Sequence, residues 1–172
     1  MSPRPSRARF TMSIDQPLYF EDFPVGRRFT TRGVTLSEAD IIDFAFKYDP
    51  QPFHIDKVAA EQSPYGGLIA SGFHTLSICF RMAIQAEVFT ECSMGSPGLD
   101  ELRWIQPVRP GDTLHTEFEV VHAEPSRSRP QRGRVRIAYT VKNQRDEAVM
   151  TVTAHQIFRT RQGAAAARDT QP

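Results

Sequence analysis

The stretch GFHTLSICFRMAIQAEVF, residues 72–89, decides the fold of this chain. Its apolar side chains recur at intervals of three or four residues, which is the spacing of one face of an α-helix. This stripe consists of Phe73, Leu76, Phe80, Ile84 and Val88. Ile78 and Met82 are apolar and lie off the stripe, so we expect a helix that is buried on most of its circumference. Another part of the chain must cover it.

The second half of the chain contains the predicted strands that would cover this helix. Four segments show the alternation or the β-branched residues of strands, namely 99–105, 113–122, 134–141 and 149–158. Turn residues such as Pro110-Gly111-Asp112 separate them. Four consecutive strands after one long helix predict an α+β domain, in which an antiparallel sheet curls around that helix.

Shorter elements precede the long helix. Ser37 is a predicted N-cap of a helix that ends near Asp49, because Pro50 disfavours helical geometry at the residue before it. Pro52 restricts Gln51 in the same way, so residues 49–54 are predicted to form a constrained loop. A short helix is expected at 57–62.

Both ends of the chain lack regularly spaced apolar anchors. We therefore expect residues 1–16 to form a disordered tail, residues 17–160 to form a single domain, and residues 161–172 to form a second disordered tail.

The composition is that of a soluble globular protein, with 172 residues, 40% hydrophobic and 24% charged. A formal net charge of +1 predicts that neither nucleic acid nor a membrane surface is a partner. Cys79 and Cys92 are too few for a disulfide framework, which predicts a reducing, cytoplasmic location. No stretch reaches the roughly 18 apolar residues of a membrane span.

The loop DPQPFHID, residues 49–56, is the candidate site. Asp49 and His54 can converge on a proline-stiffened loop and hold a water between them as a general acid–base pair. Gly72 opens the long helix, so its N–H is an unpaired donor that suits a developing oxyanion. From the residues alone, a turn role for Asp49 and a core role for His54 stay open. A metal site formed by Asp49, His54 and Asp56 is the weaker hypothesis, because no second histidine lies at the spacing typical of metal ligands.

The order of these motifs resembles the MaoC-like dehydratases, of which (R)-specific enoyl-CoA hydratases are the best-defined members. The matching segments are D-x-x-P-x-H-x-D at 49–56, GGLIASG at 66–72 and WIQPVRPGD at 104–112. The family's commonest motif has Asn where this chain has Gln51, and His where this chain has Ser71.

The resemblance implies a hotdog fold, which is an antiparallel sheet wrapped around one long central helix, and a homodimer or higher homo-oligomer. It implies that the substrate is an acyl-CoA or acyl-carrier thioester and that neither a metal nor a cofactor takes part. Asp49 and His54 would be the catalytic pair, with the amide of Gly72 as oxyanion donor. The reaction would be reversible syn addition of water to a trans-2-enoyl thioester.

Six further residues are candidate substrate contacts: Gln51, Phe53, Tyr65, Ser71, His74 and Arg103. Phe53 and Tyr65 are candidates for an acyl pocket, although aromatic residues more often belong simply to the core. A structural role for His74 also stays open. Arg103 is a candidate for the CoA phosphates, and so is the arginine-rich stretch 127–136.

Two other functions remain possible for a chain of this kind. A hotdog thioesterase does not need the D-x-x-P-x-H loop, and a non-catalytic acyl-thioester binding protein would be expected to have lost part of it. Because both Asp49 and His54 are present, the sequence favours hydration.

Overall fold

The computed structural model describes residues 16–169. Within this range a 3-10 turn at Phe20–Asp22 precedes eleven further elements in chain order. They are β1 (Arg28–Thr30), β2 (Val34–Thr35), α1 (Glu38–Tyr48), α2 (Pro52–Ile55), α3 (Lys57–Glu61), α4 (Gly72–Gln85), β3 (Gly98–Trp104), β4 (Thr113–Pro125), β5 (Arg132–Lys142), β6 (Ala148–Arg159) and α5 (Arg161–Asp169).

The strands form an antiparallel sheet in the order β1-β4-β5-β6-β3, and β2 also pairs with β4. Strands β4, β5 and β6 are consecutive in sequence and adjacent in space, so short connections join most of the sheet. Their register places Phe118 opposite Tyr139, and Tyr139 opposite Val152. All three side chains are buried on the face that α4 covers. The sequence prediction of four late strands around a helix is confirmed.

An aromatic cluster fills the core between the sheet and the segments that precede α1 and follow α4. The rings of Phe23 and Phe158 lie 4.5 Å apart, and those of Phe29 and Phe118 lie 5.0 Å apart. Phe89 packs against both Phe118 and Phe158. Such pairs contribute beyond the burial of their apolar area, because ring edges and faces carry opposite partial charges.

The central helix is shorter and more one-sided than the apolar spacing predicts. It ends at Gln85, and Glu87 follows with a φ of 59° that is incompatible with a continuing right-handed helix. Its buried residues are His74, Thr75, Ile78, Cys79, Met82 and Ala83. Phe73 and Ile84 of the predicted stripe are 57% and 65% exposed in the single chain, because the sheet covers only one side of α4.

Two local predictions are wrong. The constrained loop predicted at 49–54 contains the start of the short helix α2, because Pro52 stands at the first helical position, where its missing N–H and fixed φ are tolerated. The tail predicted from residue 161 is helix α5 over Arg161–Asp169. Arg161 anchors this helix through both carboxylate oxygens of Asp22, at 2.6 and 2.7 Å, a long-range contact that chain-end composition does not reveal.

The remaining parts of the predicted tails, residues 1–15 and 170–172, lie outside the described residues. Among the helices described, none has the length and hydropathy that a membrane crossing requires.

We predict that Phe158→Ala lowers the free energy of unfolding by about 3–5 kcal/mol, as large aromatic-to-alanine changes in cores do. Phe158 is fully buried and contacts two other phenylalanine rings. Urea denaturation followed by circular dichroism measures the change. Val58→Ala is the control, because Val58 is 67% exposed and its loss should matter by less than about 0.5 kcal/mol. Equal effects of the two substitutions would contradict this account of the core.

Candidate active site

The ends of α1 and α2 bring the predicted acid–base pair together. Helix α1 ends at Tyr48, so Asp49 is its C-cap, and the single turn of α2 carries His54 back toward it. The Nε2 atom of His54 lies 3.4 Å from Oδ2 of Asp49. The side chains of His54 and Asp49 are 5% and 17% exposed, so the pair is largely shielded from solvent.

The tautomer of His54 follows from its other ring nitrogen. Nδ1 lies 2.8 Å from the carbonyl oxygen of Ile69, which can only accept a hydrogen bond. Nδ1 therefore carries the hydrogen, and in the neutral imidazole Nε2 presents a lone pair. Nε2 and the carboxylate of Asp49 are then two acceptors side by side, which is the arrangement that can hold both hydrogens of one water molecule.

Two donors hold the carboxylate of Asp49. The hydroxyl of Ser71 donates to Oδ2 at 2.6 Å, and the side-chain amide of Gln51 donates to Oδ1 at 2.8 Å. Partial burial acts to raise the pKa of Asp49, but these two hydrogen bonds and the nearby His54 outweigh it and hold the pKa below its usual value. Asp49 is thus ionised at neutral pH.

The N-terminus of α4 lies directly beside the pair. Ser71 is the N-cap of α4 and accepts a hydrogen bond from the N–H of Phe73, while its own hydroxyl hydrogen goes to Asp49. Gly72 is the first residue of the helix, so its N–H has no acceptor within the helix. The helix dipole adds positive potential at this point, so the amide is suited to a negatively charged oxygen.

Gly72 is required by a close approach of Trp104 from β3. A Cβ added at Gly72 would lie 2.6 Å from the indole Nε1, well inside van der Waals contact. Trp104 also meets Phe73 edge-on at 5.7 Å between ring centroids. In the sequence, Trp104 stands out only as the first residue of the segment WIQPVRPGD that carries the family resemblance, and that signal does not indicate contact with Gly72.

Phe53 and Tyr65 are the residues predicted to line an acyl pocket, and they contact His54 through Phe53. The ring of Phe53 lies 4.5 Å from that of His54 and 5.1 Å from that of Tyr65. Tyr65 is 40% exposed, and its carbonyl oxygen accepts from Arg109 at 2.5 Å. Arg109 therefore lies at the rim of this region.

His74 and Arg103, two predicted substrate contacts, do not lie beside the Asp49–His54 pair. His74 is buried and stacks on Phe44 of α1 at 4.5 Å, in a cavity of about 480 Å³ between α1, β2 and α4 whose lining includes neither Asp49 nor His54. Burial lowers the pKa of His74, with nearby Asp40 opposing the shift. Arg103 is exposed on β3 and pairs with Glu101 at 3.2 Å.

The arginine-rich stretch 127–136 lies at the β4–β5 hairpin. β4 runs from Thr113, beside the Val108–Asp112 loop, to Pro125, about 40 Å of strand. Because Val108 bonds to Ala70 near the pair, the hairpin is at the opposite end of the sheet from it in the single chain.

Buried contacts that the sequence analysis did not find stabilise the approach to the site. The carbonyl of Val108 accepts from the N–H of Ala70, next to Ser71. Asp112 fixes the loop behind it, since its carboxylate accepts from the Arg109 N–H and the Gln144 amide, each at 2.8 Å. The segment Pro107–Asp112 thus stabilises the backbone that leads into the N-terminus of α4.

One group of possible metal ligands occurs among the described residues, at His115, Glu117 and Asp146. The ammonium of Lys142 lies 2.7 Å from Glu117 and 3.8 Å from Asp146, so a cation already neutralises these carboxylates. Asp56, the third residue of the metal hypothesis at the candidate site, instead caps α3 by accepting from the N–H groups of Val58 and Ala59.

Solved structures share this fold. A MaoC-like dehydratase from Rhodospirillum rubrum is 40% identical, with a TM-score of 0.79, over 84% of this chain and 98% of that chain. R-hydratase PhaJ1 from Pseudomonas aeruginosa is 26% identical, with a TM-score of 0.65, over 84% of this chain and 86% of that chain. The architecture is therefore a hotdog fold, as the resemblance implied.

Residues 21–145 match the family model described as MaoC like domain, and the chain belongs to this family. Uncharacterized protein YdeM from Bacillus subtilis is 31% identical over 129 residues, which are 75% of this chain and 90% of YdeM. A 3-hydroxybutyryl-CoA dehydratase from Methylorubrum extorquens is 32% identical over 117 residues, which are 65% of this chain and 69% of the relative.

We predict that Gly72→Ala destabilises the protein by about 1–3 kcal/mol, because the added methyl group overlaps the indole of Trp104. Chemical denaturation of the variant measures the loss. In the double variant Gly72→Ala/Trp104→Ala the added cost of the methyl group should largely disappear, which a double-mutant cycle detects. Strict additivity of the two changes would show that the contact does not constrain position 72.

Proposed function

We propose that this protein is an (R)-specific enoyl-CoA hydratase, a hydro-lyase that adds water reversibly to a trans-2-enoyl thioester. The observation that carries the proposal is the pair of adjacent acceptors, Nε2 of His54 and the carboxylate of Asp49, 3.4 Å apart beside a free helix N-terminus. Membership of the MaoC-like family and the likeness to an R-hydratase support it.

In this mechanism the pair binds one water molecule through both of its hydrogens. The oxygen lone pair of that water then points away from the pair, toward C3 of the bound enoyl group. As the oxygen attacks C3, the pair accepts a proton, and it returns a proton to C2 from the same side. Addition from one side accounts for syn stereochemistry, and the residues of the chain supply every proton transfer without a cofactor.

The N–H of Gly72 would stabilise the negative charge that develops on the thioester oxygen. An oxyanion donor of this kind contributes about 2.7–4 kcal/mol to a reaction barrier. Phe53 and Tyr65 would form a wall of the acyl pocket, and Arg109, which contacts Tyr65, would meet a phosphate of CoA. The arginine-rich hairpin lies too far along the sheet to reach the same site within one chain.

We further propose a homodimer or larger homo-oligomer in the cytoplasm. Strand β3 is at the edge of the sheet, with β6 as its neighbour in the strand order. Trp104 at the end of this strand, Ile105 after it and Phe73 against Trp104 are 49%, 51% and 57% exposed in the single chain. A free strand edge flanked by large apolar side chains is a surface that proteins normally cover.

Sedimentation velocity at micromolar concentration tests the assembly. We expect a dimer or a larger species. Ile105→Lys should shift the distribution toward monomer, because it places a charge on the apolar surface. Val25→Lys, at a 63% exposed position elsewhere, is the control and should leave the distribution unchanged. A wild-type protein that sediments only as a monomer would contradict the proposal.

The activity is tested by the loss of enoyl-thioester absorbance with trans-2-enoyl-CoA substrates from short to long chains. Asp49→Asn and His54→Ala should each lower turnover by about 10²-fold or more, because each removes one half of the acid–base pair. Asp56→Asn is the matched control. It makes the same carboxylate-to-amide change on the same loop, and asparagine retains the cap of α3.

Full turnover in Asp49→Asn or His54→Ala would remove that residue from the mechanism. Release of free thiol from saturated acyl-CoA, without loss of the enoyl absorbance, would instead favour a hotdog thioesterase. Binding of acyl-CoA without either reaction would favour a non-catalytic acyl-thioester binding protein.

A further inference from the structure

We infer that Ser71 and Gln51 are positioning residues that hold Asp49 as a permanent carboxylate, so that Nε2 of His54 is the atom that takes the proton from water. This inference rests on the proposed function and deepens it. We call the two residues the carboxylate clamp.

The clamp occupies both oxygens of Asp49. Ser71 donates to Oδ2 at 2.6 Å, and Gln51 donates to Oδ1 at 2.8 Å. Protonation would weaken both hydrogen bonds, because a neutral carboxyl group is a poorer acceptor than a carboxylate, so the clamp favours the ionised form. Asp49 keeps one remaining acceptor position on Oδ2, where it can orient a water molecule without taking its proton.

The direction of the Ser71 hydrogen bond is fixed by the helix. Ser71 Oγ accepts from the N–H of Phe73 as the N-cap of α4, which leaves its single hydrogen for Asp49. The side chain is fully buried, so it has no access to water as an alternative acceptor. The same serine therefore begins the central helix and fixes the charge state of Asp49.

His54 is the complementary half of the arrangement. Its Nδ1–H is held by the carbonyl of Ile69 at 2.8 Å, so the free lone pair lies on Nε2, 3.4 Å from Asp49. When a water O–H bond breaks, its proton moves to Nε2 and its oxygen bonds to C3. The C2–C3 π electrons move to the thioester oxygen as an enolate, and Nε2–H then returns the proton to C2. The carboxylate of Asp49 stabilises the transient imidazolium.

The two members of the clamp come from different parts of the chain. Gln51 lies two residues after Asp49, and Ser71 lies 22 residues after it, at the start of α4. Both side chains nevertheless reach the same carboxylate, one on each oxygen.

The first test follows the titration of the Asp49 carboxyl by carbon-13 NMR in the full-length chain, with Asp49→Asn to assign the signal. We expect Asp49 to titrate below the usual range of aspartate, and Ser71→Ala and Gln51→Ala each to shift the midpoint to higher pH. Ser37→Ala is the matched control. Ser37 caps α1 as Ser71 caps α4, and its hydroxyl bonds to Asp40 at the opposite end of α1 from Asp49.

Burial acts to raise the pKa of Asp49, but the two hydrogen bonds lower it below its usual value. The free energy of unfolding therefore depends on pH through this group. The clamp contributes stability above the pKa that Asp49 has in the unfolded chain, and this contribution is lost as pH falls through the folded-state pKa. Because Gln51 is exposed, Gln51→Ala carries the test even if Ser71→Ala fails to fold.

The second test compares the pH dependence of kcat/KM for hydration with the titration of the Asp49 carboxyl. The acidic limb in the wild type should not coincide with the Asp49 midpoint, because the clamp keeps this carboxyl ionised. Ser71→Ala should lower kcat/KM by about tenfold at neutral pH, as loss of a hydrogen bond to a charged group does, and Ser71→Thr should restore it.

An Asp49 midpoint that moves in neither Ser71→Ala nor Gln51→Ala, or an acidic limb that follows the carboxyl, would overturn the inference. Failure of the proposed function would look different. The wild type would then show no hydration of any enoyl-CoA, while the carboxyl titration in the resting protein would still decide whether the clamp exists.

Discussion

The hydrogen bond from Ser71 to Asp49 is the contact on which the organisation of the site depends. It joins the C-terminal end of α1 to the N-terminal end of α4, two elements 22 residues apart in sequence. Because the Ser71 hydroxyl also caps α4, the start of the central helix, the free amide of Gly72 and the carboxylate of Asp49 are fixed relative to one another. The short helix α2 then needs only one turn to add His54.

The sheet holds that junction from the other side. The backbone of Val108 bonds to Ala70, and Asp112 immobilises the turn that follows, so the entry to β4 braces the segment before α4. Trp104 packs on Gly72 from the end of β3, so a larger residue at the first position of the helix would require the indole to shift. The aromatic core beneath the sheet supplies rigidity, and the site is built where helix ends and strand ends meet.

The chemistry of the site follows from which atoms are already satisfied. Ile69 takes the hydrogen of His54 Nδ1, and Ser71 with Gln51 satisfies both oxygens of Asp49. What remains is a lone pair on Nε2 and a carboxylate that resists protonation, both largely shielded from solvent. The chain belongs to the MaoC-like family, and Gln51 and Ser71 are the side chains that hold its aspartate.

Elements whose signals are local could be predicted from the amino-acid sequence. Helical spacing after Gly72, strand alternation in the second half and the D-x-x-P-x-H loop predicted the fold class and the pairing of Asp49 with His54. Tertiary structure decided which face of α4 is buried, that Arg161 anchors a C-terminal helix on Asp22, and that His74 turns toward Phe44. It also decided that Ser71 and Gln51 contact Asp49 and that Trp104 contacts Gly72. Periodicity and proline act on neighbouring residues, so their effects can be predicted locally. These contacts instead join groups that only the packed chain brings within hydrogen-bond or van der Waals distance.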